Sequence, residues 1–383
     1  DLKKSEEKLF YTVENNPALM AGSYNVIAMP DESPQHGSMV RTVIANPDNA
    51  LASPFGWHDT NGVAGAESNY TIGNNTDAYD DRTSTSSGTG SGTNSERAFG
   101  GSSLIFSDPF NTNVTASGTD GSIDAAVTNL FYWANIIHDV TYQYGFDEAS
   151  GNFQVNNYGN GGVGGDSVRS EAQDGSGTCN ANFSTPTDGG RGRMQMYVCG
   201  TRDGDFDNGV IIHEYGHGIS TRLTGGAGNS GCLSNAEQQG EGWSDYFGLM
   251  LTMEPGDSAS DSRGIGTWLV GQPANGNGIR TYPYSTNMIA VNSHTYDDIK
   301  SEAIPHGVGS VWAAMLWEMT WDLIVIYGFD PDFYTGTGGN NIAMQLVMSG
   351  LKLQPCSPGF VDSRDAILAA DQALYGGANS CTI

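Results

Sequence analysis

Two short runs constrain this chain more than anything else in it: His213-Glu214-Tyr215-Gly216-His217 and Gly240-Glu241-Gly242-Trp243-Ser244-Asp245, with Glu241 twenty-four residues after His217. On an α-helix the side chains at i and i+4 stand one above the other, so a helix over about 207–223 puts both imidazoles on one face, where they can grip a single tetrahedral ion. Glu214 is then about 100° round the helix from His213, within reach of an attacking water but off the ligand face, which is the place for a general base. A catalytic zinc needs a third protein ligand and an open fourth position, and Glu241 is the best-placed carboxylate for the first of these. If the second run is also helical, Asp245 shares a face with Glu241 and can accept the free N–H of a zinc-bound imidazole.

With seven histidines in 383 residues, an HExxH arises by chance in roughly one such chain per hundred or fewer. A pair of core histidines beside a solvated glutamate would also have to explain the Glu-x-x-x-Asp on a second apolar helix. Metzincins continue the motif with a glycine three residues after the second histidine and a third histidine three further on. Here those positions hold Ser220 and Leu223, which excludes that class.

The rest of the chain reads as α+β. Short alternating runs at 24–29 and 40–44, separated by Pro, Gly and Asn, predict strands and turns. Residues 83–103 are nearly all Thr, Ser, Gly and Asn and predict an irregular surface loop. Ala126, Leu130, Trp133, Ile137 and Val140 recur at helical spacing and predict a helix over 123–144, with His138 a packed structural histidine on it. The Gly- and Asn-rich stretch 150–193 predicts a substrate-shaping loop rather than core. Beyond Gly225 the pattern is helical, over about 235–253, 305–327, 340–352 and 360–374.

Forty-three acidic against sixteen basic residues, a net charge of −27, argue against nucleic acid or an anionic membrane face as partner. No apolar run is long enough to span a membrane. Five cysteines leave one over. Cys179 and Cys199 flank a turn-rich segment and are expected to pair; Cys356 and Cys381 are expected to close the C-terminal segment, leaving Cys232 a buried thiol. Calcium is compatible with a loop-rich chain so rich in carboxylates, but no run matches an EF-hand loop and no ligands are assigned.

The two-helix arrangement with a glutamate third ligand and an aspartate four residues later resembles the thermolysin-like gluzincins. More specifically, GVIIHEYGHGISTRLTG (209–225), NSGCL (229–233) and GEGWSDYFG (240–248) resemble the fungalysin family of secreted metallopeptidases. ASPFGWHDTNGVAGAE (52–67), EASGNFQ (148–154), NANFSTP (180–186), HGVGSVWA (306–313) and DAILAADQAL (365–374) extend the likeness from about Tyr24 to the C-terminus.

The resemblance implies a two-lobed thermolysin-like fold. In it a β-rich N-terminal lobe (1–225) includes the zinc helix, and a helical C-terminal lobe (226–383) carries the third ligand. It implies one catalytic zinc, protein and peptide substrates, secretion, a propeptide already removed from a chain that starts at Asp1, and a monomer. Residue by residue it implies that His306, opening a long helix, donates to the oxyanion. Arg280 would bind the carbonyl beyond the scissile bond, Asn180-Ala181 would pair with an extended substrate, and Val210 would line the pocket beyond the cut. The tyrosine these enzymes place between the second histidine and the glutamate ligand is missing from 218–240, and Tyr296 is the expected substitute.

Two alternatives stand beside an endopeptidase. A zinc aminopeptidase would be expected to carry a Gly-Ala-Met-Glu-Asn segment, which is absent; a non-catalytic zinc module would be expected to have lost Glu214, which is present.

Overall fold

A computed structural model describes residues 22–36, 41–84, 92–110 and 122–383. Nine short strands lie among the described residues: β1 (Ser23–Val26), β2 (Thr42–Ala45), β3 (Thr76–Asp80), β4 (Ile105–Phe106), β5 (Val168–Ala172), β6 (Ala181–Ser184), β7 (Arg193–Met196), β8 (Val198–Cys199) and β9 (Arg202–Asp203). They form three sheets, ordered β2-β1-β4, β3-β5-β7-β6 and β8-β9. Alternate residues of β1 are buried, the period of a strand with one face on a core. The two expected N-terminal strands are present as β1 and β2, with Val40 outside the described residues. In the polar stretch 83–103, residues 85–91 are also outside them, while Arg97 is buried and paired with Asp77 at 2.7 Å.

Helix α1 (Ile123–Gln143) is buried on nearly every face because it packs against β1, β3, β5 and the next helix at once. His138 is fully buried on it, Nδ1 bonded to Asp139 at 2.9 Å and Nε2 to Asn152 at 3.2 Å, a structural histidine as expected.

The stretch 150–193 departs from expectation. It contains β5, buried at all five positions and central in its sheet, together with β6 and the start of β7. Two polar residues of β5 are buried with partners across the sheet: Ser170 Oγ meets Thr76 Oγ1 at 2.8 Å, and Glu171 accepts from Tyr79 at 2.8 Å and Arg193 at 2.9 Å. Strands of four or five residues set between glycine turns leave no period to read.

Five helices follow: α2 (Asn208–Leu223), α3 (Gly240–Leu251), α4 (His306–Tyr327), α5 (Gly339–Leu353) and α6 (Phe360–Tyr375). Two glycine contacts set how closely the first three approach. A Cβ on Gly216 of α2 would fall 2.9 Å from Ser244 Cα of α3, and one on Gly242 of α3 would fall 2.3 Å from the Gly309 carbonyl oxygen of α4. Both are inside van der Waals contact, so only glycine permits the observed packing. Trp243 of α3 and Trp312 of α4 meet edge to face at 5.1 Å beside the second contact, a pairing worth roughly 0.5–1.5 kcal/mol beyond its buried area.

Cys179 and Cys199 are bonded as expected, but the second disulfide joins Cys232 to Cys356, and Cys381 is free and exposed. The α5–α6 connection folds against the loop after α2, where Ser357 N donates to Cys232 O at 2.9 Å and Asn235 Nδ2 to Pro358 O at 2.8 Å. Cys381 lies beyond the sixteen residues of α6, a rod about 24 Å long that carries it away from Cys356.

Candidate metal centre and cleft

Helix α2 presents His213 and His217 on one face, their Nε2 atoms 3.2 Å apart. From α3, Glu241 brings Oε2 to 3.4 Å from His213 Nε2 and Oε1 to 3.7 Å from His217 Nε2. A tetrahedral ion with ligand bonds of 2.0–2.2 Å has its ligand atoms about 3.3–3.6 Å apart. The observed separations, 3.2, 3.4 and 3.7 Å, come within about 0.1 Å of that range, so two imidazole nitrogens and one carboxylate fit zinc by spacing and donor type. Glu214 is buried, and its carboxylate lies within 4.8 Å of the two imidazoles but beyond ion-pair distance of either. Both acids are therefore near the two imidazoles: Glu214 brings a single oxygen within 4.8 Å of both, while Glu241 turns a different oxygen to each, at 3.4 and 3.7 Å.

Asp245, fully buried one turn beyond Glu241, accepts His213 Nδ1 at 2.7 Å. It also accepts Arg280 Nε at 2.6 Å, Arg280 Nη2 at 2.9 Å and the hydroxyl of Tyr284. Arg280 Nη2 reaches Glu241 Oε2 as well, at 2.9 Å. The guanidinium expected to bind the substrate carbonyl is mostly committed to the two carboxylates of α3, and only Nη1 makes no protein hydrogen bond among the described residues.

The charges reinforce one another. Burial alone would lower His213, but hydrogen bonds from its ring to Asp245 and Glu241 raise it to about 10. Burial and the neighbouring His213 take His217 down to about 4. Burial pushes Glu241 and Asp245 up, yet His213 acting on the first and Arg280 on the second hold both well below the usual carboxylate range. The carboxylates that strengthen proton binding at His213 strengthen binding of any cation there, and a metal competes for the same nitrogen. Burial raises Glu214 to about 7.

His213, Glu214, His217, Glu241 and Arg280 line a cleft of about 770 Å³. One wall is β6 with its flanks, Asn180 to Phe183, and β6 is the edge strand of its sheet, paired only to β7. Ile279 and Arg280 form part of another wall, and His306, at the first turn of α4, stands with its side chain 65% exposed and Nε2 3.5 Å from Glu241 Oε1. Val210 is buried and does not line the cleft. A Cβ on Gly266 would sit 3.2 Å from Val210 and 3.3 Å from Ile279, so both side chains flank Gly266, and of the two only Ile279 lines the cleft. Tyr296 packs its ring on Phe360 at 5.6 Å, and no tyrosine among the described residues lines the cleft. Sequence reading missed Tyr284, Ile279 and Ser230, which the cleft or its supports use; they lie on irregular segments with no motif or period to mark them.

Comparison with known proteins places the same residues in a wider setting. A sequence profile described as fungalysin metallopeptidase matches residues 23–383. An extracellular metalloproteinase of Aspergillus fumigatus is 45% identical over 374 residues, covering 94% of this chain and 56% of that protein. One from Pyricularia oryzae is 43% identical over 94% of this chain and 57% of its own length, and extracellular metalloproteinase 2 of Trichophyton tonsurans is 42% identical over 97% and 58%. The chain therefore spans a little over half the length of these relatives.

Proposed function

We propose, because the chain belongs to the fungalysin metallopeptidase family, that it is a secreted zinc-dependent endopeptidase that hydrolyses internal peptide bonds of proteins. The observation that carries this reading is the meeting of His213, His217 and Glu241 at zinc-ligand spacing beside an uncommitted buried carboxylate, at the floor of an open cleft with a strand edge on one side. His213, His217 and Glu241 would hold zinc, which when bound acts as a Lewis acid that makes water more acidic and polarises the scissile carbonyl.

Glu214 takes the proton from the attacking water and passes it to the departing amine. Burial brings its basicity to near neutrality, where general bases work best. Asp245 holds the His213 ring through Nδ1, so that Nε2 faces the other ligands. His306 donates to the oxyanion, and Arg280 offers Nη1 to the carbonyl beyond the scissile bond. The outer edge of β6 at Asn180 and Ala181 pairs with an extended substrate. Ile279 gives the pocket beyond the cut an apolar side, with Val210 buried near it across Gly266.

The same reading takes the chain as two lobes, 1–225 and 226–383, with α2 as the floor between them. Strands crowd the first part and α3 to α6 fill the second, which supports the division. It also takes the active form as a monomer freed of its propeptide. Secretion is supported by the relatives' names, and no helix among the described residues is long and apolar enough to cross a membrane.

The deciding experiment compares cleavage of a denatured protein with cleavage of an N-terminally blocked peptide, with and without a zinc chelator. Chelator-sensitive cleavage of both is expected. Activity confined to free N-termini would make the protein an aminopeptidase, and no cleavage with zinc bound would leave a non-catalytic zinc module.

A further inference from the structure

We propose that Tyr284 is a positioning residue for the metal centre: its hydroxyl fixes the plane of the Asp245 carboxylate, and through it the orientation of the His213 ring. The inference rests on the zinc assignment above and concerns how that site is held.

Asp245 Oδ1 serves His213 Nδ1 and Arg280 Nη2, whereas Oδ2 serves only Arg280 Nε and the Tyr284 hydroxyl. The torsion that sets a carboxylate's plane is soft, because its terminal bond joins an sp³ to an sp² carbon and has no sharp staggered minima. Arg280 grips both oxygens with its fork and His213 adds a second bond at Oδ1, but without the phenol Oδ2 has Arg280 alone. The Tyr284 hydroxyl gives Oδ2 its second donor, so both oxygens are held from two directions and Oδ1 stays aimed at the imidazole.

The phenol is itself anchored to the helix it serves. Tyr284 N donates to Arg263 O at 2.6 Å, and Arg263 N donates back to Tyr284 O at 3.0 Å. The Arg263 guanidinium in turn donates to the backbone carbonyl of Thr252 at 2.9 Å and to its hydroxyl at 2.8 Å, at the C-terminal end of α3. The path thus runs from Asp245 along α3 to Thr252, across to Arg263 and Tyr284, and back to Asp245. Tyr284 is fully buried and does not line the cleft, so it acts on the site through Asp245 and His213 and touches no substrate itself.

Tyr284→Phe tests the assignment, because the ring and the backbone pairing to Arg263 stay while the donor goes. Release of zinc into an excess of chelator should be about tenfold faster than from the parent, the lower end of what losing a partner of a zinc-bound histidine produces. With zinc saturating, kcat should fall while KM stays, and the chelator-stripped protein should melt within about 2 °C of the parent. An unchanged release rate would overturn the proposal. So would faster release accompanied by an equal loss of metal-free stability, which would make the hydroxyl a general structural contact, or by a rise in KM, which would place its effect on the Ile279–Arg280 wall. A parent protein that takes up no zinc would instead defeat the metal assignment itself.

Discussion

Replacing Glu214 by glutamine separates chemistry from stability at one atom pair. The side chain is 5% exposed and makes no ion pair, so the isosteric amide keeps the packing and leaves His213, His217 and Glu241 in place. Zinc content should be unchanged while turnover of a blocked peptide falls by about 10²–10⁴ or more, the usual loss for a general base. Stability should move the other way. Burial raises Glu214 from 4.5 to about 7, so the folded protein holds this proton more tightly than the unfolded chain does, and ionising the group works against the fold. The penalty is absent below about pH 4.5, grows up to about pH 7 and is full above it. Its upper bound is roughly 3 kcal/mol. Glutamine never ionises, so the variant should melt a few degrees above the parent at pH 8 and level with it at pH 4. Both proteins should be compared after chelation, because a bound cation beside the carboxylate would lower its pKa. Near-normal turnover with zinc bound would show that another residue is the base, and a variant that melts lower at pH 8 would refute the burial argument.

Asp245→Ala removes the acceptor of His213 Nδ1 and should weaken zinc binding by about 10–100-fold in a competition assay; unchanged affinity would separate Asp245 from the metal centre. His306→Ala should lower kcat and kcat/KM together with KM and zinc content steady. Because the ring is 65% exposed, the loss is expected near 10² rather than 10³, and a variant that keeps its turnover but melts early would make His306 only the opening residue of α4. Arg222, fully buried on α2, bonds Asp166 and the carbonyls of Gly151, Pro186 and Gly190 and stacks on Phe153 at 4.4 Å. Arg222→Met strands Asp166, a carboxyl that burial already raises to about 6, and should cost about 3–5 kcal/mol in urea unfolding above that pH, with less lost below it where Asp166 takes up a proton. A loss under about 1 kcal/mol would show that the pair is not what holds the loop at 186–190.

What the amino-acid order determined by itself is what depends on near neighbours along the chain. Apolar residues at helical spacing marked α1 to within a residue, the histidine motif marked α2, and the apolar pattern beyond Gly225 placed α4, α5 and α6 closely. Two histidines four apart on α2 must share a face in any tertiary setting, and the same holds for Glu241 and Asp245 on α3. The meeting of those two faces was a matter of packing, decided by Gly216 against Ser244 and Gly242 against Gly309. Tertiary structure alone decided that polar β5 is core, since Ser170 and Glu171 are tolerable there only with Thr76, Tyr79 and Arg193 opposite. It decided that Cys356 meets Cys232, 124 residues away, instead of Cys381, 25 residues away beyond a stiff helix. It also turned Arg280 toward Asp245 and Glu241 and brought in Tyr284, 39 residues from the carboxylate it bonds. Contacts of that range are chosen by the need of buried carboxylates such as Glu171 and Asp245 for donors, and a need of that kind leaves no period in the chain that satisfies it.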